Sequence, residues 1–234
     1  MTTKTAPQPA TKANENFDPK AFTLSRALIQ LATARYIVGP FLHRKRSINI
    51  IGRKNVPKRG PLVIVANHLS NMDPPLLVVA CDRPMAMLAK QELFKVPFLR
   101  KLFRFYCSIS INREKPEPST FKAIRDIIKK GWGIGMFIEG TRSETPGILG
   151  QPHIGPAYVS KLYKVPILPV GIIGTNEKEG DLTVRIGRVM SPAKDVEQTT
   201  WDIMKALSEL TGFTMPEREA HESKTVEKEV IANQ

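Results

Sequence analysis

The stretch LVIVANHLSNMDPP, residues 62–75, passes from a short apolar run through a polar loop to a proline pair. Leu62 to Ala66 reads as a buried strand, and Pro74 and Pro75 open a helix reaching about Cys81. Strand, loop and helix in that order are the repeating unit of α/β domains. The loop holds His68, one of four histidines in 234 residues, five positions before Asp73. Two readings of this pair stand side by side. Asp73 just ahead of Pro-Pro suits a helix N-cap with proline at the first helical position, and His68 suits a strand end. Alternatively, Asp73 holds one imidazole nitrogen and leaves the other to act as a general base.

Outward from that stretch the alternation continues. Residues 85–89, 107–111, 134–138, 167–173 and 182–186 read as strands, while 92–105, 118–130, 155–164 and 199–210 carry helical spacing. The pattern predicts an α/β domain over residues 48–213, with a mixed, largely parallel central sheet flanked by helices. Residues 1–20 are polar and rich in Thr, Ala and Pro, and read as a disordered tail. Residues 214–234 read as a charged, mobile C-terminal tail. The two cysteines, Cys81 and Cys107, make neither a disulfide framework nor a metal pattern, so a reducing compartment is expected.

A net charge of +13 implies an anionic partner: nucleic acid, a membrane surface or a phosphorylated substrate. With 7% aromatics and no basic-aromatic interleaving, nucleic acid is disfavoured. The excess is concentrated. Residues 21–72 contain no acidic residue but carry nine Lys and Arg. Within them lies FTLSRALIQLATARYIVGPFL, residues 22–42, in which Leu24, Leu28 and Leu31 share helical spacing. Arg26 and Arg35 cut this segment into runs of eight and seven residues, far short of the roughly 20 apolar residues that a membrane span needs. An apolar helix followed by His-Arg-Lys-Arg fits residues 21–47 as a segment lying in an anionic membrane interface. The competing reading is a helix packed on the protein's own core beside a solvated basic loop.

Polar residues gather just past the strand ends: His68 and Asp73, then Asn112 and Arg113, then Glu139, Gly140, Thr141, Arg142 and Ser143. In open α/β sheets ligands sit off the carboxyl ends of strands. Arginine offers a planar fork of donors for phosphate oxygens, and Gly140 permits close backbone approach. Singly, each arginine suits a surface ion pair; together after successive strands they suit a phosphate site beside a base. There is no Gly-x-Ser-x-Gly elbow and no Gly-x-x-x-x-Gly-Lys phosphate loop. His43, His153 and His221 are scattered without metal-ligand spacing.

Asn-His-x-x-x-x-Asp-Pro at Asn67 to Pro74 resembles the first motif of the glycerolipid acyltransferases, the 1-acyl-glycerol-3-phosphate acyltransferase family. Ile111-Asn112-Arg113 resembles the second motif, Phe137 to Ser143 (FIEGTRS) the third, and Val165 to Val170 (VPILPV) the fourth. Lys90-Gln91-Glu92-Leu93-Phe94 is similar to a block the family carries between the first two. The motifs fall in the family's order across roughly residues 50–190. Two departures stand out: Cys107 or Ser108 replaces the glycine that usually begins the second motif, and His153-Ile154 stand where a basic residue often precedes the glycine at Gly155.

The resemblance implies that His68 deprotonates an acceptor hydroxyl with Asp73 orienting it, and that the oxygen attacks an acyl thioester directly. It implies that Arg113, Glu139, Gly140, Thr141 and Arg142 hold the glycerol phosphate headgroup, that Lys90 lines the acyl channel and that Pro166 lies near the acyl or thioester side. Expected partners are lysophosphatidic acid, an anionic membrane surface, and acyl-CoA or an acyl carrier protein as donor, with no cofactor, metal or nucleic acid. The expected product is phosphatidic acid, formed by a peripheral or monotopic enzyme on the cytoplasmic face of a membrane. Other acceptors (glycerol 3-phosphate, another lysophospholipid) and a non-catalytic module binding acidic phospholipid are the alternatives.

Overall fold

The computed structural model describes residues 22–96, 100, 103, 108–112, 117–143, 145–177 and 179–218. Among them, β1 (Ile48–Ile51), β2 (Leu62–Ala66), β3 (Met85–Lys90), β4 (Ile109–Ile111), β5 (Gly133–Phe137), β6 (Ile167–Ile173) and β7 (Leu182–Ile186) form one sheet, ordered β1-β7-β6-β2-β5-β3-β4. The five strands from β6 to β4 are mutually parallel; β7 is antiparallel to β6, and β1 is parallel to β7. The sheet is therefore mixed and largely parallel, as the alternation predicts. β1 is the strand that the periodicity misses. It lies at the sheet edge with alternating half-buried and exposed residues, so its apolar signal is diluted.

Successive residues of a strand point to opposite faces. In β2, Val63 and Val65 enter one core with α4 (Pro118–Lys129), α5 (Gly155–Tyr163) and α6 (Val196–Thr211). Leu62, Ile64 and Ala66 enter the other, with α3 (Asp73–Cys81) and part of the N-terminal helical segment. Because helices cover both faces, β2 is apolar at every position and wholly buried. Each such Val or Leu side chain stabilises the fold by roughly 1.5–3 kcal/mol relative to an exposed one.

The N-terminal segment comprises α1 (Leu24–Thr33), a wide turn (Ala34–Val38) and α2 (Gly39–Lys45). Thr23 caps α1, its hydroxyl accepting from the Arg26 amide at 3.3 Å. Pro40 has no N–H to return to the helix, and the wide turn before it accommodates the missing bond. Of the two readings of this segment, an interfacial helix or one packed on the core, the packing is present. Phe22 meets Trp132 edge-on with centroids 5.1 Å apart, Ala27, Ala34 and Leu42 are buried, and the Gln30 amide bonds both the N–H and the C=O of Met85 at 2.9 Å. The opposite side is exposed and apolar: Leu24, Leu28, Ile29, Tyr36 and Ile37 are 43–77% exposed. No described helix is long and apolar enough to cross a membrane.

Of the helix predicted over 92–105, Gln91–Lys95 is a short tight turn; beyond it the Arg100 amide donates to the Val96 carbonyl at 2.9 Å, a helical bond, and most of the remaining residues lie outside the described ones. Of the C-terminal tail expected from residue 214, the described residues 214–218 lie against the domain. Thr214 bridges to Ile148 and exchanges backbone bonds with Gly147 and Leu149, and Arg218 pairs with Glu197 at 2.6 Å. Residues 1–21 and 219–234 lie outside the described residues.

Candidate active site

At the carboxyl end of β2 the sheet ladder is continued by a side chain. The Asn67 amide donates from Nδ2 to the Ile172 carbonyl at 2.9 Å and accepts at Oδ1 from the Ile172 amide at 2.7 Å. The backbone of Asn67 thus leaves the sheet while β6 keeps its hydrogen bonds, and His68 is turned out at the strand end. Its Nδ1 lies 2.8 Å from Asp73 Oδ2. The ring stacks on Phe137 at the end of β5, with centroids 4.0 Å apart and planes at 14°. With Nδ1 donating to the carboxylate, Nε2 is the nitrogen able to take a proton.

The helix-cap reading of Asp73 is corrected by this geometry. Asp73 lies in the first turn of α3 and makes no bond to the helix's own amides; its carboxylate reaches back to the loop. Oδ2 accepts from the Leu69 and Ser70 amides at 2.6 and 2.7 Å besides His68, and Oδ1 accepts from the Thr175 hydroxyl at 2.6 Å. Asp73 is fully buried, so these donors replace the water its charge would otherwise need.

The loop after β5 supplies the other half. Gly140 makes a tight turn at φ 68°, a left-handed conformation that favours glycine. Thr141 and Arg142 follow, both exposed. Ser143 donates its amide to the His68 carbonyl at 2.7 Å, joining the two loops. Arg142 pairs with no carboxylate among the described residues, so its guanidinium is free for an anion.

Glu139 does not fit the phosphate role that the resemblance implies for it. It is buried, and its two oxygens accept from the His68 amide at 3.1 Å and the Gly150 amide at 2.9 Å. Burial pushes its pKa up, against the opposing pull of those amides. A carboxylate so occupied fixes the backbone of His68; turned toward phosphate it would repel it.

The remaining site residues are dispersed. Lys90 ends β3, about half exposed, with Nζ 3.8 Å from Glu92. It shares a face with Leu88, which lines an apolar cavity of about 170 Å³ together with Met136, Phe137, Gly140, His153 and Gly155; Lys90 is not in that lining. Pro166 precedes β6 and pairs with Val63 at the amino edge of the sheet, away from His68, which follows the carboxyl end of β2. Arg113 lies outside the described residues. A second cavity, of about 330 Å³, lies on the opposite face between Ala34 and Val38 of the N-terminal segment and Asn71, Pro74 and Val78 beside the histidine loop. No three His, Cys, Asp or Glu side chains gather as a metal-binding set among the described residues.

Sequence reasoning passed over three participants. Asn67 and Phe137 lay inside quoted motifs but had no role until their partners were in place. Thr175 is 102 residues from Asp73, and no local spacing announces it. Together the three adjacent strands β6, β2 and β5 deliver a hydroxyl, a histidine-aspartate pair and an exposed arginine to one edge. That arrangement can take a proton from a hydroxyl held beside an anionic group.

A family model described as acyltransferase matches residues 47–173, from the residue before β1 to the end of β6. The chain is 30% identical over 135 residues to a 1-acyl-sn-glycerol-3-phosphate acyltransferase of Borreliella burgdorferi, covering 55% of this chain and 52% of that protein. It is 31% identical over 169 residues to a probable 1-acyl-sn-glycerol-3-phosphate acyltransferase of Mycoplasma pneumoniae, covering 69% and 59%. The chain thus spans about half the length of the curated relatives it matches. The crystal structure of the 1-acyl-sn-glycerophosphate acyltransferase PlsC from Thermotoga maritima superposes with a TM-score of 0.66 at 23% identity, over 76% of this chain and 77% of that one. That likeness establishes a common fold.

Proposed function

The chain belongs to the acyltransferase family, and from that premise we propose that it transfers a fatty acyl group from a thioester to the sn-2 hydroxyl of 1-acyl-glycerol 3-phosphate, giving phosphatidic acid. The observation that carries the proposal is the His68–Asp73 pair, with Nδ1 tied at 2.8 Å and Nε2 left to the substrate. A protein that only bound acidic lipid would need no buried carboxylate aligning a histidine beside its arginine.

In the proposed reaction Nε2 takes the proton of the acceptor hydroxyl as its oxygen bonds to the thioester carbonyl carbon. The C–S bond of the resulting tetrahedral species then breaks, and the departing thiolate takes the proton from the imidazolium. Asp73 favours the imidazolium through its hydrogen bond at Nδ1. General base catalysis of this kind typically contributes about 10²- to 10⁴-fold. Arg142 contacts the acceptor phosphate, with Thr141 and the Gly140 backbone beside it. The donor is an acyl-CoA or an acyl carrier protein thioester, and the reaction as proposed uses no metal or cofactor.

The acceptor is a membrane lipid, so the protein must reach a bilayer surface. The exposed apolar side of α1 and the wide turn supports docking in the interface, and the exposed Arg44 beside it favours anionic headgroups at about 1 kcal/mol. A thioester donor from the cytoplasm would be met on the cytoplasmic face, which supports assigning the reaction to that side. The test is free-thiol release by the full chain on vesicles, over a panel of acceptors and acyl chain lengths. The proposal expects the fastest release with lysophosphatidic acid; equal or faster release with a lysophospholipid lacking the free phosphate would overturn the assigned acceptor.

A further inference from the structure

Of the four donors on the Asp73 carboxylate, three come from its own loop and crowd Oδ2. The fourth, the Thr175 hydroxyl on Oδ1, comes from beyond β6. Among the described residues no other donor reaches Oδ1. The carboxylate is therefore clamped from two sides, and only one side belongs to the histidine loop.

The loop that presents Thr175 is itself held from a third place. β6 ends at Ile173, and Gly174 turns the chain at φ 85°, where an added Cβ would come within 2.7 Å of the Asp181 carbonyl oxygen. The Arg46 guanidinium then gathers four carbonyls of this loop. Nη1 donates to Gly174 and Glu177, Nη2 to Glu179 and Nε to Gly180, all at 2.6–2.7 Å. Arg46 closes α2, its amide donating to the Leu42 carbonyl at 3.2 Å. A guanidinium engaged with four carbonyls is committed to the loop. Both Arg46 and Thr175 lie outside residues 47–173 that the family model matches.

We infer that Thr175 is a positioning residue of the His68–Asp73 pair, and that Arg46 holds the loop that presents it. The inference rests on the acyl-transfer reading above. The physical reason is the cost of a buried acceptor without a donor. Deprived of Thr175, the carboxylate turns to seek another partner for Oδ1, and Oδ2 loses its line to His68 Nδ1. The base is then less well oriented in the transition state, whereas neither substrate loses a contact.

The test uses the full chain on vesicles. Thr175→Val, which keeps shape and removes the hydroxyl, lowers kcat on the order of tenfold with KM for both substrates unchanged. Thr175→Ser keeps the hydroxyl and stays within about twofold of the parent. In an Asp73→Asn background Thr175→Val has no further effect, because the carboxylate it serves is gone. Arg46→Lys keeps the charge but cannot span four carbonyls, and it lowers kcat only while Thr175 is present. Parent-level kcat in Thr175→Val, an equal loss in the Asp73→Asn background, or a Thr175→Ser as impaired as Thr175→Val would each overturn the inference. The low-field proton resonance of His68 Nδ1–H reads the same contact without turnover; it moves in Thr175→Val and holds in Thr175→Ser. If the parent protein released no thiol with any lysophosphatidic acid, the acyl-transfer reading would have failed, and an unmoved resonance in Thr175→Val would then sink the positioning role by itself.

Discussion

Asn67 and Ile172 exchange two hydrogen bonds, side chain to backbone, where β2 stops and β6 continues. This pair decides where the histidine loop begins. Replacing Asn67 by Ala leaves a buried N–H and C=O of Ile172 without partners, at about 1–3 kcal/mol each. Chemical denaturation of Asn67→Ala is expected to show a stability loss of that order; an unchanged midpoint would contradict the role.

The Glu139 carboxyl is held above its usual range by burial, and this has a signed consequence for stability. The folded state keeps the proton to higher pH than the unfolded chain does. Stability from this group is therefore fully present below the unfolded carboxylate pKa and is lost as pH rises through the raised folded value. The stability of the parent relative to Glu139→Gln should fall across that acidic window and level off above it. Denaturation at a series of pH values measures the difference, and a constant difference would contradict the burial argument.

Arg142 is exposed and pairs with no carboxylate among the described residues, so its loss should leave the fold alone. Removing a charge-assisted contact to phosphate costs roughly 1.5–3 kcal/mol, about 10- to 100-fold in KM for the phosphorylated acceptor. Steady-state kinetics of Arg142→Ala should show that rise with kcat and donor KM nearly unchanged. A fall in kcat at constant KM would move Arg142 from binding to the chemical step.

The exposed apolar side of the N-terminal segment can be tested without opening the core. Ile37→Glu combined with Leu28→Glu alters residues that are 64% and 59% exposed. The thermal midpoint should hold while flotation with anionic vesicles falls by tenfold or more, since about 1.5–3 kcal/mol is at stake for each large side chain. Undiminished flotation would show that this side does not meet the bilayer. Deleting the segment is a poorer test, because Phe22, Gln30 and Leu42 tie it to the sheet.

Much of this architecture is readable in the chain because local chemistry and tertiary demand agree. LVIVA is apolar throughout because both faces of β2 are covered, and His68 and Asp73 sit in one loop, so their meeting requires no long-range contact. The motif FIEGTRS put Glu139 and Arg142 near the site but could not say from which amides Glu139 would accept. That depended on Gly150 and on the His68 backbone, both set by the fold. Pro166 shows the same limit: its motif identifies β6, but only register with β2 fixes the proline at the amino end of the sheet. Thr175 and Arg46 were unreadable because their partners are 102 and 128–134 residues away. The N-terminal segment packs one side on the core, as the second of its two readings expects, and leaves an exposed apolar side that the vesicle experiment addresses.

The central claim is that His68 is the base for acyl transfer, and free-thiol release by purified His68→Ala with lysophosphatidic acid and an acyl thioester tests it most directly. The account predicts a rate lower by about 10²- to 10⁴-fold with an unchanged circular-dichroism spectrum and little change in acceptor KM. A folded His68→Ala protein that released thiol at the parent rate would contradict it.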